Sequence, residues 1–356
     1  MKRKKFLVCV LNWGMGHATR CIPLINELLS RGQEVVLASD GDALLVLKES
    51  FPQLEMVELP GYNPIYSTGK SLLGAMMKQM PKFLKAIEEE HAITEQLVAE
   101  KKIDIIISDN RYGCHSHHAR SILMTHQVSL VIPGAFGLLE PFVNYYNRKL
   151  MLKFDRIWVP DYKDARSLTG NLSFSNVVSR KYIGHLSRFE QRPDEEPFQY
   201  DILGLVSGPE PQRQIFEDLL RREFRHVKGN TMLVRGLPSG SSDIIIEGRH
   251  SEADYMNAEQ LNALLPKVKL VVSRSGYSTI MDLAKMGKRA IFVPTPGQTE
   301  QVFLAKRLMK EGVALMVEQG KLNLDRALGK NKLYSGFGQY NFNNELLGPA
   351  IEKLLR

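Results

Sequence analysis

Short apolar runs rich in Val, Ile and Leu alternate along the chain with amphipathic stretches at helical spacing. Most of the runs end in a cluster of Gly, Ser, Asp or Arg. Such runs read as buried parallel strands, and the stretches between them as covering helices. The series opens with a strand over 6–11, a glycine-rich turn over 12–20, a helix ending near Arg31-Gly32 and a strand over 34–38. Further strands are expected over 103–107, near 129–132, over 154–159 and over 182–188. The segment 191–199, QRPDEEPFQ, is charged and proline-bearing, which marks a linker. Beyond it, strands are expected over 200–206, 231–235, 244–247, 270–272, 289–294 and 314–317, then a polar, Gly-rich stretch over 318–340 with a long loop around 330–338, and a last helix over 343–355. This is the pattern of an α/β protein with two Rossmann-like parallel sheets. It divides into a domain over 1–190, a second over 191–340 and a C-terminal helix in 341–356.

Composition narrows this picture without redirecting it. The 356 residues suffice for two domains, and 44% hydrophobic with 24% charged residues is a globular balance. The 3 cysteines, Cys9, Cys21 and Cys114, form no disulfide or zinc pattern, so a reducing cytoplasm is expected. No apolar run approaches the roughly 20 residues of a membrane span. The net charge of +8 suits phosphorylated substrates, an anionic lipid surface or nucleic acid. No basic stripe interleaved with aromatics supports nucleic acid. Residues 70–89 carry Leu72, Met76, Met80 and Phe83 near helical spacing with Lys70, Lys78, Lys82 and Lys85 between them. That helix either lies on an anionic membrane or packs on its own domain, and Pro81 kinks or restarts it.

The candidate chemistry falls in turns after strands. The densest is 270–301: a strand, the turn Ser273–Thr279, a helix stopping at Gly287, a strand, then a polar loop with Gln298, Glu300 and Gln301. Backbone N–H groups at the helix start, beside Arg274, suit a diphosphate, and Asp282 a turn later suits ribose hydroxyls. The turn at 12–20, NWGMGHATR, has Gly14 and Gly16 but Thr19 where a dinucleotide fingerprint needs its third glycine. Asp40 supplies that fingerprint's acidic residue, so a nicotinamide-dependent enzyme stays an incomplete alternative. His17, at a positive helix end that favours neutral imidazole, is either a general base or a hydrogen-bonded turn residue. Asp109 closes a strand and is a second candidate base; Asn110, Arg111 and His126 are polar groups beside it. Asp40-Gly41-Asp42 reads as a turn and cap, and Cys114 with His115, His117 and His118 matches no closed zinc pattern.

The 270–301 stretch resembles the donor-binding signature of glycosyltransferase family 28, whose best-known member is the MurG-type N-acetylglucosaminyltransferase. Arg274-Ser275-Gly276 looks like the family's Arg-(Ala/Ser)-Gly turn, and Thr279 matches its Thr. Asp282 stands at its ribose-binding Glu, Gln301 falls on one of its paired glutamines, and Val302 replaces the other. Gly14-Met15-Gly16-His17 resembles the G-x-G-H opening of two-domain GT-B glycosyltransferases. The resemblance implies a GT-B fold: two Rossmann-like domains facing across a cleft, the last helix returning to the first. It implies an acceptor over Gly14–His17, a donor on the second domain, and inverting transfer without a metal or other cofactor. The donor, expected to be UDP-linked, would meet Ser207, Gly208, Arg213, Arg235, backbone near Met256, and Arg274 to Thr279, with Tyr277 and Ser278 in the helix start. The acceptor would be a cell-envelope lipid or glycan, met at the inner face of the cell membrane. A sugar-nucleotide 2-epimerase using Asp109, Asp282 and Glu300, and a non-catalytic sugar-nucleotide sensor, are the alternatives.

Overall fold

The computed structural model describes residues 3–64, 78–130, 137–138, 140–174, 179–340 and 345–356. They form two compact units: one holds the described residues up to Leu186 together with 345–356, the other 187–340.

The first unit's sheet is built from β1 (Lys5–Val10), β2 (Glu34–Ser39), β3 (Glu55–Glu58), β4 (Ile105–Asp109), β5 (Arg120–Met124), β6 (Arg156–Val159) and β7 (Arg180–Tyr182). The strands are parallel and run β3-β2-β1-β4-β5-β6-β7 across the sheet. Its helices are α1 (Gly16–Ser30), α2 (Gly41–Ser50), α3 (Met80–Lys101) and α4 (Glu140–Met151). In α1, Ala18, Cys21, Ile22, Ile25 and Leu28 recur at helical spacing and are all buried, which is why this stretch lies on the sheet. Pro81 sits in the first turn of α3, where no intrahelical N–H is lost. It starts that helix rather than kinking it. Of the expected helix at 70–89, residues 70–77 lie outside the described residues.

The second unit repeats the plan. Its strands are β8 (Tyr200–Leu205), β9 (Thr231–Val234), β10 (Ile245–Glu247), β11 (His250–Ala253), β12 (Val268–Ser273), β13 (Ala290–Phe292) and β14 (Leu315–Met316). They run β10-β11-β9-β8-β12-β13-β14, and every pairing is parallel except that of β10 with β11. Helices α5 (Gln212–Phe224), α6 (Ala258–Leu264), α7 (Tyr277–Lys285), α8 (Thr299–Lys310) and α9 (Leu324–Asn331) connect them. The last helix, α10 (Leu347–Leu355), belongs to the first unit, where Leu347, Ala350, Ile351 and Leu354 join the core of β1, β4 and α1.

Three expectations are corrected. Of the strand placed near 129–132, residues 131–132 lie outside the described residues; β5 starts nine residues before 129, and its register sets Met124 beside Asp109, so Thr125 and His126 follow a strand as well. The strand placed over 182–188 ends at Tyr182, because Gly184 at φ +78 turns the chain out of the sheet. A helix, α9, lies in the polar stretch 318–340 and runs into the start of the loop expected around 330–338, begun by the Asn323 side chain accepting from Arg326 N at 3.0 Å. Among the described residues no helix is long and apolar enough to cross a membrane.

Because Ile351 is fully buried in the first unit's core, Ile351→Ala should lower unfolding stability by about 2–5 kcal/mol. Urea denaturation measures this, and an unchanged midpoint would contradict the packing of α10.

Candidate functional site

In each sheet the parallel strands end on one edge, and ligands favour the point where strand order reverses. In the first unit that point lies between β1 and β4. Gly14, at φ +90 with no atom within 4 Å of a Cβ built there, carries the chain from β1 into α1. Met15 is the N-cap of α1, and His17 lies in its first turn. Asp109, the last residue of β4, is paired with Val10 of β1 and fully buried.

His17 Nδ1 lies 3.1 Å from Asp109 Oδ2 and 2.9 Å from Arg20 Nη2. Arg20, one turn further along α1, brackets the carboxylate: Nε reaches Oδ2 at 2.9 Å and Nη2 bonds Oδ1. Its Nη1 lies 3.1 Å from His126 Nδ1. Burial would raise the Asp109 pKa, but Arg20 and His17 overcome it and hold the carboxyl well below the usual range. Burial first, then Arg20, lowers the His17 pKa from its ordinary 6.5, against the pull of Asp109. The imidazole is thus neutral at pH 7, its Nδ1 is held inside, and about 15% of its side chain remains exposed.

Several expectations for this edge change. Asp109 is not a base, since both oxygens are buried and taken by Arg20 and His17. Arg111 does not face an acceptor. It is fully buried, donating to Val10 O at 2.8 Å, Pro60 O at 3.1 Å and Glu90 Oε1 at 2.6 Å, and pairing with Asp40. His126 is buried against Arg20, so it supports the cluster from behind. Asn110 stands in the left-handed region at φ +58, its backbone N donating to Met124 O at 3.2 Å. Gly14, Met15 and Gly16 keep partial exposure. Arg20 was missed, although its i+3 spacing from His17 put both on one helix face.

The second unit's carboxyl edge carries the expected donor residues: Ser207-Gly208 after β8, Arg235 after β9, Met256 after β11, Arg274 to Thr279 after β12 and Gln298 to Gln301 after β13. Strand order reverses between β8 and β12. Gly208 is at φ +108 and open around its Cα. Gly276 caps α7, and Gln298 caps α8, each without a side-chain hydrogen bond. Ser275 Oγ donates to Gln301 O at 2.8 Å, and Thr295 N donates to Gln301 Oε1 at 2.8 Å, stitching the two turns together.

The charged residues here do not all face outward. Arg274 is buried over the Phe216 ring and donates to Val293 O and Gln212 O, each at 3.0 Å, and to Gln319 Oε1 at 2.6 Å. It cannot reach a phosphate directly. Among the described residues it has no ion pair, so its positive charge remains unneutralised beneath the turn. Arg213 is spent on Glu210 and Glu217, each at 2.5 Å, and on Arg235 O at 3.1 Å. Arg235 pairs with Glu217 at 3.0 Å and Asp254 at 2.5 Å. Asp282 is not open to a ribose: Ser187 Oγ donates to it at 2.7 Å, Arg188 Nε lies at 3.5 Å, and burial raises its pKa. Met256 is buried, which leaves its backbone as the available part. Glu217, the fully buried hub of both arginines, left no mark in the sequence beyond one carboxylate in a charged helix. Among the described residues no group of three or more His, Cys, Asp or Glu is placed to hold a metal ion.

Residues 247–333, which hold the edge from β11 to β13, match the glycosyltransferase family 28 C-terminal domain. The chain is also 24% identical over 342 residues to a glycosyltransferase of Methanosarcina acetivorans, covering 88% of this chain and 85% of that one. The protein is a glycosyltransferase, similar to family 28 over residues 247–333. It is likewise 24% identical, over 332 residues, to the UDP-N-acetylglucosamine--N-acetylmuramyl-(pentapeptide) pyrophosphoryl-undecaprenol N-acetylglucosamine transferase of Halalkalibacterium halodurans, covering 88% of this chain and 86% of the relative. The fold is that of the kitacinnamycin glycotransferase, at a TM-score of 0.65 and 17% identity over 99% of both chains. The GT-B assignment made from the G-x-G-H opening therefore holds.

In this glycosyltransferase Glu217 holds Arg213 and Arg235 together. Glu217→Ala should cost about 3–5 kcal/mol by leaving buried Arg213 with only the exposed Glu210, and Arg235 with only Asp254. Thermal unfolding without added nucleotide reads this, and an unaltered Tm would show that the hub carries no stability.

Proposed function

We propose that this glycosyltransferase moves a hexose or N-acetylhexosamine from a UDP-linked donor to a hydroxyl of a cell-envelope lipid or glycan, with inversion and without a metal. The observation that carries the reading is His17, held neutral with Nδ1 against a charged, buried Asp109. With Nδ1–H directed at the carboxylate, Nε2 keeps a lone pair. Nε2 takes the acceptor hydroxyl's proton as that oxygen bonds to the anomeric carbon. The carbon–oxygen bond to the diphosphate breaks, and UDP leaves with the electron pair.

The leaving diphosphate gathers charge at the uncapped start of α7. Buried Arg274 contributes through its field rather than by contact, in place of a metal's charge. Ser207, Gly208, Ser275, Gly276, Tyr277, Ser278, Thr279, Gln298, Glu300 and Gln301 surround that donor. Gly14, Met15, Gly16 and Asn110 meet the acceptor. The relative from Halalkalibacterium halodurans is named for UDP-N-acetylglucosamine and an undecaprenol-linked acceptor, which supports this class of donor and acceptor. The epimerase alternative loses support, because Asp109 and Asp282 are both committed inside the protein.

A lipid acceptor places the enzyme at the inner face of the cell membrane. The residues supporting that contact lie on and around α4, not only in 70–89. Leu138 is 92% exposed, Phe142 72% and Leu152 60%, beside exposed Tyr145, Arg148, Lys149 and Lys153. Apolar and aromatic groups interleaved with cations suit an anionic bilayer surface.

His17→Ala should abolish transfer, by about 100-fold or more, while the UDP-sugar that most raises Tm in a panel of nucleotide sugars still binds. Retained transfer rejects the base. Separately, Phe142→Ser with Tyr145→Ser should reduce co-sedimentation with phosphatidylglycerol vesicles by several-fold; equal binding rejects α4 as the contact.

A further inference from the structure

Arg20 has a part in this site that no motif announces. Its guanidinium meets three titratable groups from three elements: His17 on its own helix α1, Asp109 at the end of β4 and His126 after β5. Cys21 of α1 lies beside them, its Sγ 3.6 Å from Asp109 Oδ2. Arg20 is itself almost fully buried. We propose that Arg20 is a positioning residue that keeps the Asp109 carboxylate charged and the His17 imidazole unprotonated, in the states the transfer step uses. The proposal rests on reading His17 as the base, but it makes a claim about proton affinity that can be tested without any substrate.

The geometry gives Arg20 two effects of opposite sign. A carboxylate with no exposure would take up a proton if left alone, because burial penalises its charge. The guanidinium removes that tendency by bonding both oxygens. A carboxylate held charged would in turn draw a proton onto the imidazole beside it. The cation 2.9 Å from Nδ1 opposes this. The His17–Asp109 pair therefore stays one proton short at neutral pH. Without Arg20 the pair would hold its extra proton to higher pH, whichever member carried it. The planar guanidinium is required for the span, since a single ammonium cannot reach both carboxylate oxygens and both rings at once.

Arg20 also bears on the tautomer. Nδ1 has a carboxylate oxygen at 3.1 Å and a guanidinium nitrogen at 2.9 Å. If Nδ1 accepted from Arg20, Nε2 would carry the hydrogen and have no basicity toward an acceptor. Arg20 Nη2 has two hydrogens and Asp109 Oδ1 takes one, so the base needs the second turned from Nδ1 and Nδ1–H facing Asp109, the stronger, charged acceptor. In that tautomer Nε2 keeps its lone pair.

The test is a pH titration of histidine ring nitrogens by NMR in the full-length protein, with the His17 signals assigned by their loss in His17→Gln. In the unmodified protein the His17 midpoint should lie below 6.5, with the neutral ring protonated on Nδ1. In Arg20→Met the midpoint should rise by at least about one unit, a tenfold change in proton affinity. In Arg20→Lys, which keeps the charge, it should rise by less than half as much. An unshifted midpoint in Arg20→Met overturns the proposal. So does a midpoint above 6.5 in the unmodified protein, a result available even if Arg20→Met does not fold. These outcomes are separate from the fate of the base: if His17→Ala retained transfer, the base reading would fall while the titration still reported on Arg20.

Discussion

A carboxylate as deeply buried as Asp109 stays ionised only if a cation closes on it, and in this protein Arg20 does so with two nitrogens. The rest of the first unit is arranged around that constraint. β4 must end at Asp109 in register with β1, so that the carboxylate arrives beneath the start of α1. Gly14 must turn the chain sharply enough to bring His17 over it. The Rossmann-like order, reversing between β1 and β4, supplies both. A second buried cation, Arg111, ties the same strands to Asp40 and Glu90 from the other side of β1. The polar edge of this sheet is thus held by charges inside the protein, while His17, Asn110 and the turn Gly14–Gly16 keep partial exposure.

The second unit solves a different problem, offering positive potential to a diphosphate without surrounding it with arginines. Arg213 and Arg235 are consumed by Glu217, Glu210 and Asp254. Arg274 is consumed by carbonyls, and a carbonyl satisfies a guanidinium's hydrogens without cancelling its charge. The turn that precedes α7 accordingly sits above a cation with no carboxylate paired to it among the described residues, and the helix start adds its own partial charge. Such preorganised charge needs no movement when a leaving group becomes negative.

The plan of the fold was legible because its signals are local. Apolar β-branched runs of four to six residues marked most strands, and glycine-bearing turns marked their carboxyl ends. β3 and β11 escaped because EMVE and HSEA carry too few apolar positions to be told from loop. The position of β5 escaped because SILM and the apolar residues around 129–132 are equally apolar, and only pairing with β4 chooses between them. The site was legible to the level of the turn and no further. Residue type and spacing found 12–20, 109–111 and 270–301, yet whether a charged side chain faces outward depends on partners far away in the chain. Asp282 meets Ser187, 95 residues distant, and Arg274 meets Gln319, 45 residues distant. His17 with Arg20 is the counterexample, a contact that helical spacing alone allowed.

The central claim is a division of labour: the second unit grips the nucleotide and the first carries the base. Photolabelling with 5-azido-UDP-N-acetylglucosamine, followed by peptide mapping, tests it most directly. The account requires the label on second-unit peptides at the carboxyl edge, foremost the one containing Tyr255 and Met256, with protection by unlabelled UDP. Label recovered instead on the peptide spanning Gly14 to Thr19, and competed away by UDP, would contradict it.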